Sequence, residues 1–446
     1  MSVFGCWFII YGMKFIVNGG GKLNGEITIK GSKNAATKMI VASLLTDEEC
    51  VFENFPRIGD AEITSELCQA IGAEIALNGS TLSIKTPKIK NYRVVPLDLS
   101  KNNRIPILTL GPLLSRMGKA EIPFLGGDQI GYRPVDIHLE ALKLMGAKIE
   151  TADGFFVASA TDGLKGAKIN LRYPSVGATE NVILAAVLAK GRTIVKNAAI
   201  EPEITDLIKM LQDMGAIIGL GADRTIYING VKKLRGTKYR VLPDRNEAVS
   251  FACLAVAAKG NKIKVKGAVH DHLITFLNEL RRVGGDYRIE SDGIVFWRPD
   301  SLSAIEIETD THPGFMTDWQ QPFTILLTQA NGVSIIHETV YENRFDYIKD
   351  LNFMGANIKV FSKCLGELPC RFNGEGYPHS AVISGPAPLY GKRVKVPDLR
   401  AGIAHLIAAL IAQGESVLEG VEQIDRGYEK IDERLQSLGA DIKRIA

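Results

Sequence analysis

Four polar segments of the sequence each hold an arginine beside an acidic residue: Arg245, Arg344, Arg400 and Arg426. After Arg344 and Arg400 the sequence continues as an apolar, helix-like stretch, which places both arginines at the mouth of a helix. A planar guanidinium binds a carboxylate or a phosphate through two parallel hydrogen bonds. These two arginines are therefore candidates to hold a small, doubly anionic ligand. For Arg245 and Arg426, a structural ion pair is the simpler interpretation.

The segment Gly31-Ser32-Lys33-Asn34 opens a predicted helix over residues 35–45. The positive end of a helix and its backbone N–H groups attract anions, and the lysine adds a full charge. The GxxxxGK[ST] spacing of nucleotide-triphosphate loops is absent. The alternative is an ordinary capped helix with a solvent-exposed lysine, and the local sequence leaves both interpretations open.

The segment 125–136 has three glycines around Asp128 and Arg133, and Pro134 suits the first turn of a helix that starts at Val135. Loops of this kind often carry chemistry and close over ligands. The alternative is a surface turn in which both charged side chains are solvated.

Asp318 follows a proline-glycine turn and is a candidate general base. A helix N-cap is the commoner role for such an aspartate. The histidines are scattered, and for His138, His312 and His405 a structural role is the simpler expectation.

Cys364 and Cys370 flank a short loop and can bind a metal or cross-link. No histidine stands near either of them at ligand spacing, so the sequence favours reduced thiols. Zinc motifs, Ser/His/Asp signatures and dinucleotide fingerprints are absent from the sequence. We therefore predict neither a metal nor a cofactor.

These candidate residues lie in the joints of a repeated pattern. A Met-Gly-Ala phrase or a close variant recurs at a nearly regular stride, after a helix-like run and before a strand-like run. Glycine at such a point ends a helix, because it enters the left-handed region without steric cost. The pattern predicts six copies of one α/β unit. The six glycines are Gly72, Gly146, Gly215, Gly284, Gly355 and Gly439.

The composition is that of a soluble globular protein, with 446 residues, 46% hydrophobic, 23% charged and a net charge of +3. This length predicts about two domains, and six repeats divide naturally as three plus three. The near-neutral charge argues against a nucleic-acid partner. Residues 1–12 are expected to be an N-terminal extension, too short to span a bilayer. No membrane partner and a cytoplasmic location are expected, and the oligomeric state is left open.

Eight short motifs follow one another between Met13 and Ile445. They are Gly31–Ala36, Gly126–Asp136, Tyr173–Asn181, Asn197–Ile204, Leu242–Glu247, Glu342–Phe345, Asp398–Gly402 and Asp425–Glu429. In this order they resemble the enolpyruvyl transferases, and most closely the members that act on UDP-N-acetylglucosamine. The members that act on shikimate phosphate have a serine where this chain has Asn34.

The resemblance implies an α/β fold, a two-domain inside-out α/β barrel with six repeats of one α/β unit, three per domain. The first domain would span residues 34–241 and carry the UDP-sugar site and the catalytic loop. The second would combine residues 13–33 with 242–446. The two domains are expected to face each other and to close on the substrates.

The implied reaction moves the enolpyruvyl group of phosphoenolpyruvate to the C3 hydroxyl of UDP-N-acetylglucosamine and releases phosphate, through a tetrahedral ketal. It would be the first committed step of peptidoglycan synthesis, and so would serve the cell wall, cell shape, the cell cycle and cell division. Lys33, Arg133 and Arg400 match the family's phosphate-side cations. Arg344 and Arg400 match the cations at the carboxylate, and Asp318 matches the group that takes the hydroxyl proton. The other matching substrate contacts are Asn34, Arg104, Pro134, Val135, Asp136, Ile137, Tyr173, Pro174, Ser175, Val176 and Val340.

The main departure from the family is Asp128, where most members have the cysteine that fosfomycin alkylates. Either side chain can serve as the proton donor, and the chain is predicted to be insensitive to fosfomycin. Asn246 and Val249 also depart from the usual pattern, and the stretch 363–384 is longer than usual. Two alternatives remain: a related transferase with another acceptor alcohol, or a catalytically silent sugar-nucleotide-binding paralogue.

Overall fold

The computed structural model describes residues 12–94, 104–124, 135–368 and 370–446. Residues 1–11 of the predicted extension, and the predicted site residues Asp128, Arg133 and Pro134, lie outside these ranges. Within them, strands and helices alternate along the chain and the strands form six sheets. The predicted α/β class is confirmed.

Three sheets come from residues 31–242 and three from the rest of the described chain. In residues 31–242, the first sheet has, in spatial order, the strands Thr237–Arg240, Cys50–Glu53, Thr81–Lys85 and Glu74–Asn78. The second sheet has Lys119–Pro123, Phe155–Ser159 and Lys148–Ala152. The third sheet has Ile217–Leu220, Ile226–Asn229, Arg192–Lys196 and Lys168–Asn170. In the rest of the described chain, the fourth sheet has the strands Asp286–Glu290, Gly293–Trp297, Lys262–Lys266 and Asn24–Thr28. The fifth sheet has Glu306–Glu308, Gly332–His337, Ser380–Gly385 and Asn357–Phe361. The sixth sheet has Arg393–Lys395, Glu415–Glu419, Lys14–Asn18 and Asp441–Ile445.

One pairing scheme recurs in every four-stranded sheet. One edge strand pairs in parallel with its neighbour, and the remaining pairs are antiparallel. In the three-stranded sheet, the parallel partner is reduced to a single bridge between Arg93 and Glu121. The sheets are therefore variants of one unit, as the six-fold sequence pattern predicts.

The six repeated glycines end helices in the same way. Each has a positive φ, from 92° at Gly146 to 129° at Gly72. In each copy, the N–H of the residue after the glycine donates to the carbonyl five residues earlier, such as Ala147 to Leu142 at 3.1 Å. This is the hydrogen bond of a Schellman motif, which requires a left-handed residue at the glycine position. The repeat is thus visible in sequence because it is a local backbone requirement.

The described chain divides into two compact units. The first contains residues 31–124 and 135–242, and the second contains residues 12–30 and 243–446. Each has its own hydrophobic core. The first unit has helices Lys33–Ser43, Gly59–Ile71, Leu110–Met117, Asp136–Leu144, Val176–Ala186 and Pro202–Asp213, and the 3₁₀ helix Ile105–Thr109. The second has helices Arg245–Ala257, Ile274–Arg282, Gln320–Leu327, Ile348–Phe353, Leu399–Ile411, Glu422–Asp425 and Ile431–Gln436, and the 3₁₀ helices His270–His272 and Thr317–Trp319.

Three helices of the second unit pack against one another at its centre: Arg245–Ala257, Gln320–Leu327 and Leu399–Ile411. Nearly all of their residues are buried. A helix that is apolar on all sides needs such an interior position. Their N-terminal ends carry polar residues, and two of these ends hold Asp318 and Arg400.

Two predicted helices differ from the observed ones at their ends. The helix predicted over 35–45 begins earlier, at Lys33, and ends at Ser43. The helix predicted to start at Val135 begins one residue later, at Asp136. Within the described ranges, no helix has the length and apolar character needed to cross a bilayer.

Candidate active site

The second unit brings three predicted residues into contact. One carboxylate oxygen of Asp318 is ion-paired with Arg344, and the other lies 2.8 Å from Nη2 of Arg400. The Arg344 side chain is only 2% exposed, and that of Arg400 is 10% exposed. Asp318 lies inside the 3₁₀ turn Thr317–Trp319, and the N-cap positions of this turn and of the following helix are occupied by Met316 and Trp319. The alternative role as a helix cap is therefore wrong.

A buried hydrogen-bond network fixes Arg344. Its Nε donates to Oγ1 of Thr317 at 3.2 Å, and that hydroxyl donates to Glu338 at 2.9 Å. Glu338 also accepts from Gln320 Nε2 at 2.8 Å and is fully buried. Burial by itself acts to lower the pKa of Arg344, but the carboxylates of Asp318 and Glu338 outweigh it and the pKa is raised. Arg344 is therefore a permanent cation in a fixed position.

Arg400 is positioned by the start of its helix. Asp398 caps that helix, because its side chain accepts from the backbone N–H groups of Arg400 at 2.7 Å and Ala401 at 3.0 Å. Burial acts to lower the pKa of Arg400, and the charge of Asp318 reverses this and raises it. The cap thus aims a second permanent cation at the carboxylate of Asp318.

In the first unit, Lys33 is the first residue of its helix, and its Nζ lies 2.8 Å from Oδ2 of Asp60. The lysine side chain is 16% exposed. Ser32 occupies the cap position, but its side chain makes no capping hydrogen bond. Its buried hydroxyl has no hydrogen-bond partner within the described ranges. The alternative of an ordinary capped helix with a solvent-exposed lysine is therefore wrong.

Arg104 immediately precedes the 3₁₀ helix Ile105–Thr109 and lies near His138. Burial lowers the pKa of His138 to about 3, and the charge of Arg104 adds to this effect. Nδ1 of His138 lies 3.2 Å from the side-chain amide nitrogen of Asn181. His138 is thus a neutral, buried group held by a hydrogen bond, which fits the structural role expected for it.

The remaining predicted substrate contacts of the first unit cluster around helix starts. Tyr173 and Pro174 precede Ser175, which caps the helix Val176–Ala186 by accepting from the N–H of Ala178 at 3.3 Å. Val135 stands just before the helix Asp136–Leu144, which includes Ile137, and Asp136 is ion-paired with Arg172. Asn34 lies in the first turn of the Lys33 helix and is half-buried.

Val340 belongs to the second unit and is buried. Its backbone N–H donates to Oε1 of Glu338 at 2.8 Å, and its carbonyl accepts from Arg371. The backbone at this predicted contact is therefore fixed by the same carboxylate that supports Arg344 through Thr317.

Sequence reasoning missed two acidic partners, Asp60 and Glu338. Asp60 lies in the first turn of the helix Gly59–Ile71, where an acidic residue usually serves the helix itself. Glu338 follows directly after the strand Gly332–His337, and a carboxylate that ends an apolar run is the one signal that marks it. Which cation each acid meets depends on tertiary packing.

One expectation about cysteine needs correction. Cys364 and Cys370 do have histidines beside them: one ligand atom from each of His337, Cys364, Cys370 and His379 lies within 4.8 Å of the others. We call these four residues the Cys/His cluster. His337 ends the earlier strand Gly332–His337, so the residue spacing around the two cysteines does not indicate that it lies beside them.

Solved structures of enolpyruvyl transferases share this architecture. The enolpyruvyl transferase NikO from Streptomyces tendae matches with a TM-score of 0.85 at 24% identity, covering 97% of this chain and 99% of that one. An EPSP synthase from Acinetobacter baumannii matches with a TM-score of 0.75 at 18% identity, covering 98% of this chain and 100% of that one. At such identities the likeness shows the fold alone, that of the enolpyruvyl transferases.

Sequence similarity narrows the class further. Residues 17–435 match the family EPSP synthase (3-phosphoshikimate 1-carboxyvinyltransferase). A UDP-N-acetylglucosamine 1-carboxyvinyltransferase of Protochlamydia amoebophila is 49% identical over 96% of this chain and 94% of its own length. The enzymes of that name from Chlamydia pneumoniae and Gluconobacter oxydans are 48% and 41% identical, over 96% and 97% of this chain and 94% and 99% of their own lengths. The chain belongs to the UDP-N-acetylglucosamine 1-carboxyvinyltransferase family.

Proposed function

We propose that this chain transfers the enolpyruvyl group of phosphoenolpyruvate to the C3 hydroxyl of UDP-N-acetylglucosamine and releases phosphate. The names of relatives up to 49% identical support this activity. We also propose that the product enters peptidoglycan synthesis, that the reaction takes place in the cytoplasm, and that it serves the cell wall, cell shape, the cell cycle and cell division.

The observation that carries the proposal is the convergence of Arg344 and Arg400 on Asp318. Two buried guanidinium groups share one carboxylate, so the three side chains together carry a positive charge. A carboxylate and a phosphate are the ligands that suit guanidinium pairs, and phosphoenolpyruvate carries both. Fixed cations of this kind stabilise charge that develops in the transition state without reorganisation.

In the proposed reaction, the C3 oxygen of the sugar bonds to C2 of phosphoenolpyruvate, and Asp318 accepts the hydroxyl proton. The methylene carbon takes a proton from Asp128, which gives a tetrahedral ketal. Loss of a methyl proton and cleavage of the C2–O bond to phosphate then restore the enol double bond. The contacts with Arg344 and Arg400 hold the Asp318 side chain in place for this step.

The proposed role of Lys33 is to bind the departing phosphate. It stands at the positive end of a helix, beside a buried Ser32 hydroxyl that has no hydrogen-bond partner within the described ranges. Because Lys33 is already paired with Asp60, a phosphate has to share or displace that partner. Arg133 is proposed as a second phosphate contact. The UDP-sugar is assigned to Asn34, Arg104, residues 133–137, residues 173–176 and Val340.

Phosphate release from phosphoenolpyruvate tests the acceptor directly. We expect release with UDP-N-acetylglucosamine and none with shikimate 3-phosphate, since relatives 41% to 49% identical carry the name UDP-N-acetylglucosamine 1-carboxyvinyltransferase. Asp318→Asn should abolish release while UDP-N-acetylglucosamine still binds by calorimetry. Release with shikimate 3-phosphate alone would replace the proposed acceptor. Binding of the sugar nucleotide without release by the wild-type chain would make it a silent paralogue.

A further inference from the structure

The Cys/His cluster lies at one end of the sheet formed by Glu306–Glu308, Gly332–His337, Ser380–Gly385 and Asn357–Phe361. His337 is the last residue of its strand and pairs with Ser380 on the antiparallel neighbour, so His379 stands next to it in space. The loop between the strands Asn357–Phe361 and Ser380–Gly385 supplies both cysteines. Strand register and loop together collect two sulfur and two nitrogen atoms at one point.

The hydrogen bonds of the two histidines leave the same ring nitrogen facing the cluster. Nδ1 of His337 lies 3.0 Å from the carboxylate of Glu308, and Nδ1 of His379 lies 2.6 Å from the carbonyl of Tyr377. Both partners only accept, so each Nδ1 carries the hydrogen and each Nε2 keeps its lone pair. Nε2 of His337 is buried without a hydrogen-bond partner in the described chain.

The cysteines are placed to complete a ligand set. Sγ of Cys364 lies 3.2 Å from Nε2 of His379, and Sγ of Cys370 accepts a 3.4 Å hydrogen bond from the backbone N–H of Phe372. Both thiols are free rather than joined as a disulfide. Around tetrahedral zinc, with Zn–S of about 2.3 Å and Zn–N of about 2.0–2.1 Å, neighbouring ligand atoms are roughly 3.3–3.8 Å apart. Separations of up to 4.8 Å in the cluster therefore need only small side-chain movements.

We propose that the Cys/His cluster is a zinc site, with Nε2 of His337 and His379 and the thiolates of Cys364 and Cys370 as its ligands. Two sulfur and two imidazole ligands are a set that favours Zn²⁺ among the common divalent ions. Four protein ligands leave no open position, so the metal is structural rather than catalytic.

Glu308 supports the site as an outer partner. Its carboxylate accepts from Nδ1 of His337 and also from the backbone N–H groups of Glu367 and Leu368, each at 2.8 Å. A carboxylate on the far nitrogen of a ligating histidine fixes the ring and makes it a better ligand. A side chain at Gly366 would meet Glu308 at 2.2 Å, so the loop needs glycine to approach this closely.

The zinc would link the loop between the strands Asn357–Phe361 and Ser380–Gly385 to the strand Gly332–His337, which leads to the hydrogen-bond network around Arg344. The residue after His337 is Glu338, which supports Arg344 through Thr317 and holds the backbone N–H of Val340. The metal is therefore expected to stabilise this segment rather than to touch a substrate.

Metal analysis of the full-length protein tests the site. After removal of loosely bound ions, we expect one zinc per chain in the wild type, measured by plasma mass spectrometry. Cys364→Ser and Cys370→Ser should lose it and should unfold at a lower temperature. Cys253→Ala, which removes a buried thiol from the helix Arg245–Ala257, is the matched control and should keep its zinc.

A second measurement uses the wild-type protein, so it tests the site even if the cysteine variants fail to fold. Wild-type protein stripped by a chelator should take up one equivalent of Zn²⁺, or of Co²⁺ with the visible absorption of a tetrahedral thiolate site. Glu308→Gln should lower zinc affinity about 10- to 100-fold in competition with a chelator. The proposal is overturned if reduced wild-type protein takes up no stoichiometric zinc, if either Cys364→Ser or Cys370→Ser retains it, or if peptide mapping of freshly purified protein finds a Cys364–Cys370 disulfide.

Discussion

The two units hold their candidate cations in different electrostatic settings. In the second unit, Arg344 and Arg400 converge on the single carboxylate of Asp318, so this trio carries a net positive charge. In the first unit, Lys33 is matched by Asp60, and that pair is neutral. Lys33 and Arg400 stand at helix starts, whereas Arg344 lies in the loop before the helix Ile348–Phe353, so the expected position at a helix start is wrong for Arg344. Further carboxylates surround the trio, since Glu338 also raises the pKa of Arg344 and Asp398 caps the helix of Arg400. The difference therefore lies in how the acid is shared: Asp318 contacts two cations, whereas an anion at Lys33 has to share or displace Asp60.

Asp128 lies outside the described residues, and replacing it is expected to have the largest effect, which compares a proton donor with the two sets of cations. If it is the proton donor, Asp128→Asn should lower kcat by about 100- to 10,000-fold, the usual contribution of a general acid. Asp128→Cys should keep activity and should move the alkaline limb of the pH–rate profile upward. A donor must be protonated, and the unperturbed pKa is roughly 8.5 for cysteine against about 4 for aspartate.

The same two variants decide the response to fosfomycin. A carboxylate is a far weaker nucleophile than a thiolate toward the epoxide. Intact-mass spectrometry should therefore show no adduct on the wild type and one adduct on Asp128→Cys, with matching loss of activity. An adduct on the wild type that inactivates it would contradict the assignment of Asp128.

Arg400→Ala is expected to have the next largest effect, lowering kcat by about 100- to 1,000-fold, because a desolvated cation is removed from the developing charge. Arg400→Lys should restore only part of this, since lysine lacks the planar fork. The control is Arg393→Ala, which removes an exposed arginine paired with Glu419 at 3.0 Å. Steady-state phosphate release measures all three. Near-normal activity of Arg400→Ala would remove the second unit's trio from the mechanism.

Lys33→Ala and Asp60→Asn test whether Lys33 binds the substrate phosphate and whether Asp60 competes with that phosphate. Lys33→Ala should lower kcat/KM by about 100-fold, the cost of losing one charged contact to the substrate. Asp60→Asn keeps the lysine and removes its competing partner, so it should change kcat/KM by no more than about tenfold and tighten phosphate inhibition. If Asp60→Asn were as damaging as Lys33→Ala, the aspartate would be needed to position the lysine.

The smallest expected effect concerns stability and another lysine–carboxylate pair of the first unit. Lys38 lies 3.8 Å from Glu180, and burial raises the pKa of Glu180 from 4.5 to about 7 although Lys38 opposes the shift. Below pH 4.5 the glutamate is protonated in both states. Between pH 4.5 and 7 only the unfolded state releases its proton, so the free energy of unfolding should fall by up to about 3 kcal/mol as pH rises.

Glu180→Gln stays neutral and should flatten this part of the pH dependence, measured by urea unfolding at pH 5 and pH 8. Glu150→Gln, at an exposed position on the strand Lys148–Ala152, controls for the loss of one carboxylate. A difference between the two pH values that is unchanged in Glu180→Gln would mean that the glutamate is ionised in the folded protein.

Features that depend on local backbone conformation could be predicted from the amino-acid sequence alone. The recurrence of six glycines predicted the repeat, because each glycine ends a helix at positive φ and is followed by the same hydrogen bond to a carbonyl five residues back. The positions of Lys33 and Arg400 at helix starts were predictable for the same reason. Each is specified by a few neighbouring residues.

Which charged and metal-binding groups come into contact depends on tertiary packing. The pairing of Lys33 with Asp60, and of Asp318 with two arginines, joins elements that are far apart in sequence. The cluster around Cys364 depends on the strand register that sets His337 beside the later strand. No local pattern encodes such contacts, because they form only when hydrophobic burial packs separate helices and strands together.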